Sequence, residues 1–179
     1  DMKEKILNGF LLVIPFLLIR FLLLSILNKE AVGRAAYFAP MQGKERTAYW
    51  IYQISNVGIF AGLFFLSVLI DFSIQFYMGV FLYSLGLLLC AAAMVSFSSP
   101  DHSGFNKNGI YRLSRNPMYL AYFICFLGMC LLTRSLTLLG IVLIFQVSAH
   151  WIILAEERWC IEKFGEEYIE YMNQVRRYI

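Results

Sequence analysis

The sequence is poor in charge, and its few acidic residues are unevenly placed. Charged residues make up 15% of the 179 residues, whereas about a quarter of the residues in a soluble domain are charged. Between residues 46 and 155 only Asp71 and Asp101 are acidic, while six of the twelve acidic residues lie between residues 156 and 170. With a hydrophobic content of 60%, this excludes an ordinary soluble domain and predicts a membrane-embedded body followed by a charged tail.

The sequence also lacks the residue patterns of several common kinds of binding site. The four cysteines lie mostly in apolar runs without CxxC spacing, which argues against disulfides and against a zinc site, so no metal is expected. They are Cys90, Cys125, Cys130 and Cys160. No glycine-rich loop follows a strand, which excludes a Rossmann-type nucleotide site. The net charge of +3 comes from scattered basic residues, so nucleic acid is not an expected partner.

Long apolar runs dominate what is present. A membrane-spanning helix needs about 20 apolar residues, and five runs approach this length. They are Ile6–Leu27, Ala48–Ile70, Ile74–Phe97, Met118–Thr133 and Leu136–Ala155. The sequence therefore predicts an all-α, multi-pass integral membrane protein that forms a single membrane domain, residues 1–179. Residues 1–97 would hold three spans, and residues 98–179 would hold a loop, a helical hairpin and a C-terminal helix.

The basic residues predict the orientation of these spans. The side that carries loops 28–47 and 98–117 and the tail has 11 Lys and Arg residues, whereas the opposite side has 3. Because positive charge is retained on the cytoplasmic side, the C-terminus and both long loops are predicted to be cytoplasmic.

Small and polar residues interrupt the first two spans. Gly58 and Gly62 are four residues apart, a spacing that lets helices approach closely. Internal packing explains this pair, and a homodimer through the same glycines is the alternative. Arg20 lies near the cytoplasmic end of the first span, where it can extend to the membrane surface or contact a substrate headgroup or carboxylate.

The fifth span carries a polar stripe that continues into the tail. Gln146, His150 and Glu157 are spaced i, i+4 and i+11, which places them on one helical face. A membrane histidine often only bonds a neighbouring helix, but ionisable groups inside a membrane favour a functional role. We therefore predict that this stripe borders a ligand cavity, with Gln146 on the substrate side.

A second polar cluster stands at the entrance to the fourth span, in the stretch YRLSRNPMYL. Pro117 suits the first turn of a helix, and a helix N-terminus attracts anions. Arg115 can bind a carboxylate through two hydrogen bonds, and Glu156 and Glu157 reach the same membrane face. An anion clamp, a carboxylate pair and aromatic walls suit a zwitterionic ligand with a flat ring.

The tail after Ala155 has apolar residues at helical spacing, which predicts an amphipathic helix. Gly165 is expected to interrupt it, with Glu166 and Glu167 opening a second helical piece. This tail is either an interfacial helix on the cytoplasmic surface or a lid beside the entrance to the fourth span.

The stretch GIYRLSRNPMYL, followed after one hairpin by AEERWCIEKFGEEYIEYMNQV, resembles the isoprenylcysteine carboxyl methyltransferase and phospholipid methyltransferase family of integral membrane enzymes. The resemblance covers residues 109–175, in which G-x-Y, R-x-P-x-Y, E-E and F-G-x-x-Y-x-x-Y recur in order. It implies an enzyme that binds S-adenosyl-L-methionine near the last two spans, with residues 98–179 as its catalytic part. A membrane lipid or lipidated acceptor would enter from the bilayer.

Carried over residue by residue, the resemblance implies a cofactor site on both sides of the hairpin. Its predicted members are Tyr111, Arg115, Asn116, Pro117, Tyr119, Glu156 and Glu157. Two positions depart from the family pattern. Many relatives have histidine at the position of Asn116, whose amide cannot do acid–base work, and Ile152 stands where an arginine is often found. His150, on the same helix, would partly compensate.

The predicted reaction is an in-line methyl transfer, in which positioning supplies much of the acceleration. An amine or thiol acceptor needs a base, for which His150 and Glu157 are the candidates, with Arg115 as the third catalytic residue; a carboxylate acceptor needs none. A phospholipid amine, a prenylated cysteine carboxylate and an apolar thiol all stay open as acceptors. The alternatives are a membrane reductase that uses NADPH and a non-catalytic membrane module.

Overall fold

A computed structural model describes residues 5–179, and most of them are helical. The first helical segment, Gly9–Leu27, contains a 3₁₀ turn, α1 (Val13–Leu17), a π-helical turn at Leu18–Leu23 and α2 (Leu24–Leu27). The helices that follow are α3 (Lys29–Ala36), α4 (Lys44–Phe65), α5 (Ile74–Ser98), α6 (Pro117–Thr133), α7 (Leu136–Phe164) and α8 (Glu166–Gln174).

Within residues 5–179, three helices are long and apolar enough to cross a membrane, and they indicate an integral membrane protein. They are Gly9–Leu27, Ile74–Ser98 and Leu136–Phe164. The apolar helix α6 is shorter, with 17 residues. Helix α4 has 22 residues, but it begins with charged residues and contains polar ones. The count of five spans, the orientation and the division of the chain therefore stay predictions.

The described residues are mostly helical, as predicted, and the structure adds a small antiparallel sheet that the all-α prediction did not include. Strand β1 (Lys5–Asn8) pairs with β2 (Ser67–Ile70), with Ile6 opposite Leu69. The first predicted span, Ile6–Leu27, therefore begins as a strand, and the second, Ala48–Ile70, ends as a strand. The chain turns at Asn8, whose side chain donates to the Phe64 carbonyl and accepts from the Phe10 amide. An apolar run cannot by itself distinguish a strand from a helix, and strand pairing satisfies the backbone groups beyond each helix end.

Glycines allow two close helix contacts that hold α6 and α7 in place. A methyl group on Gly86 of α5 would lie 2.4 Å from the backbone nitrogen of Cys125 in α6. On α4, Gly58 and Gly62 face Ile141 and Leu138 of α7 in the same chain. Helices α4 and α7 therefore pack against each other at the two predicted glycines. A homodimer through the same glycines stays a prediction.

The C-terminal segment returns to the loop that precedes α6. Helix α7 continues past Ala155 to Phe164, and Gly165 ends it with a positive φ of 60°. Helix α8 then buries Tyr168 and Tyr171 against Phe105. This packing brings the tail against the entrance to α6, while its place on a membrane surface stays a prediction.

Candidate functional site

A cavity of about 560 Å³ lies where the loop before α6, the end of α7 and helix α8 meet. Six of the seven predicted cofactor residues line it, together with Arg20. The six are Tyr111, Arg115, Asn116, Tyr119, Glu156 and Glu157. Pro117 does not line the cavity but occupies the first turn of α6, as predicted. The structure thus brings together polar residues from both sides of the hairpin.

The backbone before α6 explains how Tyr111 and Arg115 reach the cavity. Gly109 has a positive φ of 58°, and the chain then forms a short 3₁₀ turn that buries Tyr111. Tyr171 of α8 donates a 2.7 Å hydrogen bond to the Tyr111 carbonyl. Burial raises the pKa values of both phenols above their usual range, so both hydroxyls are neutral at physiological pH.

Arg115 and Glu157 pair with each other inside the site. Arg115 Nη2 donates to Glu157 Oε1 at 2.9 Å, and Arg115 Nη1 donates to the Met172 carbonyl at 3.0 Å. The side chains of Arg115 and Glu157 are only 7% and 6% exposed. Such a buried pair needs well-placed hydrogen bonds to offset desolvation, and the bond to Met172 ties it to α8.

A second arginine, Arg177, also donates hydrogen bonds to Glu157. Arg177 donates from Nη2 to Glu157 Oε2 at 2.9 Å and from Nε to both carboxylate oxygens at 3.1 and 3.2 Å. These bonds raise the pKa of Arg177 above its usual value. Because Glu157 accepts hydrogen bonds from two guanidinium groups, both of its carboxyl oxygens are occupied by contacts within the protein. Sequence reasoning missed Arg177, since no pattern connects the tail to α7.

Glu156 is engaged differently. It lines the cavity, and its Oε1 atom accepts a 2.9 Å hydrogen bond from the Tyr119 hydroxyl. No arginine or lysine lies in salt-bridge contact with Glu156 among residues 5–179. Of the two adjacent carboxylates, Glu156 is therefore the one free to meet a cationic or hydrogen-bond-donating group of a ligand.

The segment after α8 lies along the entrance to α6. The Arg115 amide donates to the Arg176 carbonyl at 3.0 Å, and Asn116 Nδ2 donates to the Arg177 carbonyl at 3.1 Å. The Ser114 hydroxyl donates to the same Arg177 carbonyl. The Asn116 amide, predicted to contact the cofactor, thus holds the C-terminal segment while it also borders the cavity.

Besides Pro117, two predicted residues lie outside the cavity. Neither His150 nor Gln146 lines it. His150 Nδ1 lies 2.6 Å from the Tyr178 hydroxyl, in hydrogen-bond contact. Gln146 Oε1 is buried without a hydrogen-bond partner in the described chain. The predicted stripe is continuous along α7, but only its Glu157 end reaches the cavity.

Arg20 approaches the cavity from the first helical segment. Its Nη2 group donates to the Ala35 carbonyl at 3.0 Å, and its guanidinium lies 5.9 Å from the centre of the Tyr122 ring. The side chain therefore points toward α3 and α6 inside the protein. Its predicted contact with a substrate stays a prediction.

Other wall residues were not singled out from the sequence. They include Arg34, Tyr37, Tyr52, Phe105, Asn106, Trp159 and Lys163. Trp159 and Lys163 are four residues apart on α7, a spacing that could have indicated their contact, and the Lys163 ammonium lies 4.6 Å from the ring centre. Phe105 is a lone aromatic residue in a polar loop, which was also a usable signal. Nothing distinguished Arg34 from other loop arginines.

The cavity suits the cofactor that the resemblance implies. Three residues of its wall each have a buried polar atom without a hydrogen-bond partner in the described chain: Asn106 Oδ1, Arg115 Nε and the Tyr122 hydroxyl. Buried polar groups normally have a partner, so these atoms favour a polar ligand. The volume lies within the range of small-ligand sites, and the aromatic walls can stack a flat ring and stabilise a sulfonium.

Comparison with known proteins agrees with the motif resemblance. A model of the phospholipid methyltransferase family matches residues 57–167, more than half of the chain. The protein-S-isoprenylcysteine O-methyltransferase of Saccharomyces cerevisiae is 39% identical over 70 residues, which are 38% of this chain and 29% of that protein. The chain thus covers less than a third of this relative. No solved structure matches. The chain belongs to the phospholipid methyltransferase family, as the motifs predicted.

Proposed function

We propose that this protein transfers a methyl group from S-adenosyl-L-methionine to a lipid-like or membrane-partitioned acceptor. The observation that carries the proposal is a cavity lined by the hydrogen-bonded pair Tyr119 and Glu156. Its wall also includes Asn106, Arg115 and Tyr122, each of which has a buried polar atom without a hydrogen-bond partner in the described chain. The family name indicates methyltransferase activity. A site with a free carboxylate, orphaned donors and acceptors and aromatic walls supports a zwitterionic cofactor with a flat ring.

The proposal includes the membrane arrangement predicted from the sequence. Five spans would place the C-terminus and the cavity on the cytoplasmic side, with α8 at the membrane surface. Residues 98–179 would form the catalytic part of a single membrane domain. A reporter fused after Ile179 should then be cytoplasmic, and a translocated reporter would contradict this topology.

The wall residues have separate tasks in this proposal. The bound cofactor would supply an electrophilic methyl group on a sulfonium. Glu156, held by Tyr119, would bind a positively charged part of the cofactor, and the aromatic rings of Tyr52 and Trp159 would exclude water. Asn106 and the free Nε–H of Arg115 would complete the polar contacts. Positioning of this kind supplies much of the acceleration of a displacement reaction.

Glu157 and His150 are given structural tasks in this proposal. Glu157 is occupied by two arginines, so it holds the tail and Arg115 in place and does not act as a base. His150 lies beside Tyr178 outside the cavity, and Gln146 likewise stays outside the proposed site. The acceptor is then either a carboxylate, which needs no base, or a group that loses its proton to Glu156 or to water.

Two measurements test the proposal. Calorimetric titration of the purified full-length protein should show saturable binding of S-adenosyl-L-methionine and none of NADPH. Binding of NADPH alone would favour a reductase, and binding of neither would favour a non-catalytic module. A radiolabelled methyl-transfer assay against total membrane lipid should then give a labelled product for mass spectrometry, whereas no labelled product would contradict the transfer.

A further inference from the structure

Two arginines border the cavity without a carboxylate partner. Arg20 donates to the Ala35 carbonyl, and Arg34 Nη2 donates to the Phe97 carbonyl at 3.1 Å. Within residues 5–179 neither guanidinium forms a salt bridge. Because a guanidinium carries five N–H donors, each side chain has donors left for a ligand.

The balance of charge in the cavity wall favours an anionic ligand at this position. Glu157 is paired with two arginines, which leaves Glu156 as the acidic residue of the cavity wall without a cationic partner in the described chain. Three further cations, Arg20, Arg34 and Lys163, line the same cavity. A sulfonium cofactor would add positive charge to this excess. A second ligand that shares the cavity is therefore expected to bring a negative group.

The position of Arg20 suits a ligand that comes from the membrane. Arg20 lies in the π-helical turn Leu18–Leu23, and such turns are frequent at functional sites. It is seven residues before Leu27, or about 10 Å along the helix, within reach of a headgroup. Leu18, Phe21 and Leu22 beside it are 51%, 51% and 52% exposed, so an apolar surface continues outward from the guanidinium.

We propose that Arg20 and Arg34 form an anion subsite, which holds the phosphate or carboxylate of a membrane-embedded acceptor. The acceptor's hydrocarbon chain would lie along the exposed face of Leu18, Phe21 and Leu22. Both arginines precede residues 57–167, so the family match carries no expectation about them. The inference rests on the proposed function only in naming the bound lipid as the acceptor.

Lipid binding by the full-length protein in neutral detergent tests this subsite without a methyl-transfer readout. Three fluorescent probes with the same oleoyl chains separate the chemistries: phosphatidic acid, a fatty acid and diacylglycerol. The unchanged protein should bind both anionic probes at least tenfold more tightly than diacylglycerol. The ratio of the two anionic affinities then tells whether phosphate or carboxylate fits better.

Substitutions of Arg20 and Arg34 test whether these two residues cause the preference for anionic probes. Arg20→Gln and Arg34→Gln should each reduce the anion preference at least fivefold, and Arg20→Lys should retain part of it by keeping the charge. Arg46→Gln is the matched control, because Arg46 is exposed and lies outside the cavity wall. Equal binding of the three probes, or a full preference retained by either glutamine variant, would overturn the subsite.

The two proposals fail in different ways. Anion preference that depends on both arginines, without any methyl transfer, would reject the proposed function and leave the subsite. Methyl transfer by a protein that binds the three probes equally would reject the subsite and leave the proposed function.

Discussion

The Tyr119 hydroxyl donates a 2.9 Å hydrogen bond to Glu156 Oε1, and this bond connects the start of α6 with the second half of α7. Tyr52 of α4 packs edge-on against Tyr119, with ring centres 6.3 Å apart. Three helices therefore fix the direction of a carboxylate that has no arginine partner in the described chain. The Glu156 carboxyl group lines the cavity and is not used in a salt bridge within the described chain.

Glu156→Gln should weaken the binding of S-adenosyl-L-methionine at least tenfold, because an amide cannot neutralise the positive part of the cofactor. Tyr119→Phe should weaken it less, about threefold, since the carboxylate keeps its charge and loses one orienting hydrogen bond. Calorimetric titration of each purified variant measures both effects.

Glu162→Gln is the matched control for these variants, because Glu162 is an exposed glutamate on the same helix outside the cavity wall. Its affinity should equal that of the unchanged protein. Full affinity of Glu156→Gln would remove Glu156 from the site.

Removal of either member of the Arg115–Glu157 pair should destabilise the protein and disturb the site. Both side chains are buried, so Glu157→Gln would leave the Arg115 guanidinium without a charged partner, at a cost of about 3 kcal/mol. Arg115→Ala would leave Glu157 with Arg177 as its remaining partner. We expect Glu157→Gln and Arg115→Ala to lower the melting temperature in detergent and to weaken cofactor binding tenfold or more. The variants should still extract and elute as the unchanged protein does.

Arg177→Ala distinguishes the two arginines that contact Glu157. Its side chain is 33% exposed, so its loss should lower the free energy of unfolding by about 1 kcal/mol, less than the loss of Arg115. Arg112 is exposed in the loop that carries Arg115, and Arg112→Ala should change neither the free energy of unfolding nor the cofactor affinity. An Arg115→Ala variant that melts and binds as the unchanged protein does would refute this assignment.

Local sequence signals predicted the parts of the site that depend on backbone preference. Pro117 begins α6 because its fixed φ and missing N–H suit a first helical turn. Gly165 ends α7 because a positive φ favours glycine. The family resemblance assigned Arg115 and Glu157 to one site, and the predicted spans placed these oppositely charged residues at the same membrane face. Their hydrogen bond agrees with both predictions.

Contacts that depend on irregular segments could not be predicted. Arg177 reaches Glu157 through a tail without periodicity, and no local rule specifies such a return. Helical periodicity placed His150 and Glu157 on one face of α7, but the stripe from Gln146 to Glu157 covers about 16 Å of helix. The cavity touches only one end of this stripe, and Tyr178 of the tail occupies the position beside His150.

Glycine substitutions should separate close helix packing from helix propensity. A methyl group on Gly86 or Gly128 would lie within 2.4 Å of a backbone atom of the neighbouring helix, so α5 and α6 would have to move apart. Gly86→Ala and Gly128→Ala should each lower the melting temperature, and cofactor affinity should fall with it, because α6 carries Tyr119.

Gly140→Ala provides the matched control on α7, where a methyl group would meet no atom within 4 Å. This variant should keep or raise the melting temperature, since alanine favours a helix by about 1 kcal/mol over glycine. Equal melting temperatures for the Gly86 and Gly140 variants would contradict the close packing of α5 and α6.

The ion pair between Glu45 and Arg158 should make stability depend on acidic pH. Arg158 donates to both carboxylate oxygens of Glu45 at 2.6 and 2.7 Å and so fixes the first turn of α4 against α7. Glu45 precedes the predicted span at residue 48. The hydrogen bond from Arg158 lowers the pKa of Glu45 below its usual value of 4.5. The pair therefore stabilises the fold above that pH and is lost as pH falls through the lowered pKa.

Glu45→Gln should consequently melt below the unchanged protein at pH 7, and the gap should shrink as pH falls below about 4.5. Glu30→Gln is the control, because Glu30 is exposed and its side chain makes no hydrogen bond in the described chain; its melting curve should follow that of the unchanged protein at every pH. Melting temperatures measured in detergent from pH 3 to pH 7 give the comparison. A gap that stays constant across this range would mean that the Glu45 carboxylate is not the titrating group, and the link between α4 and α7 would then depend on packing.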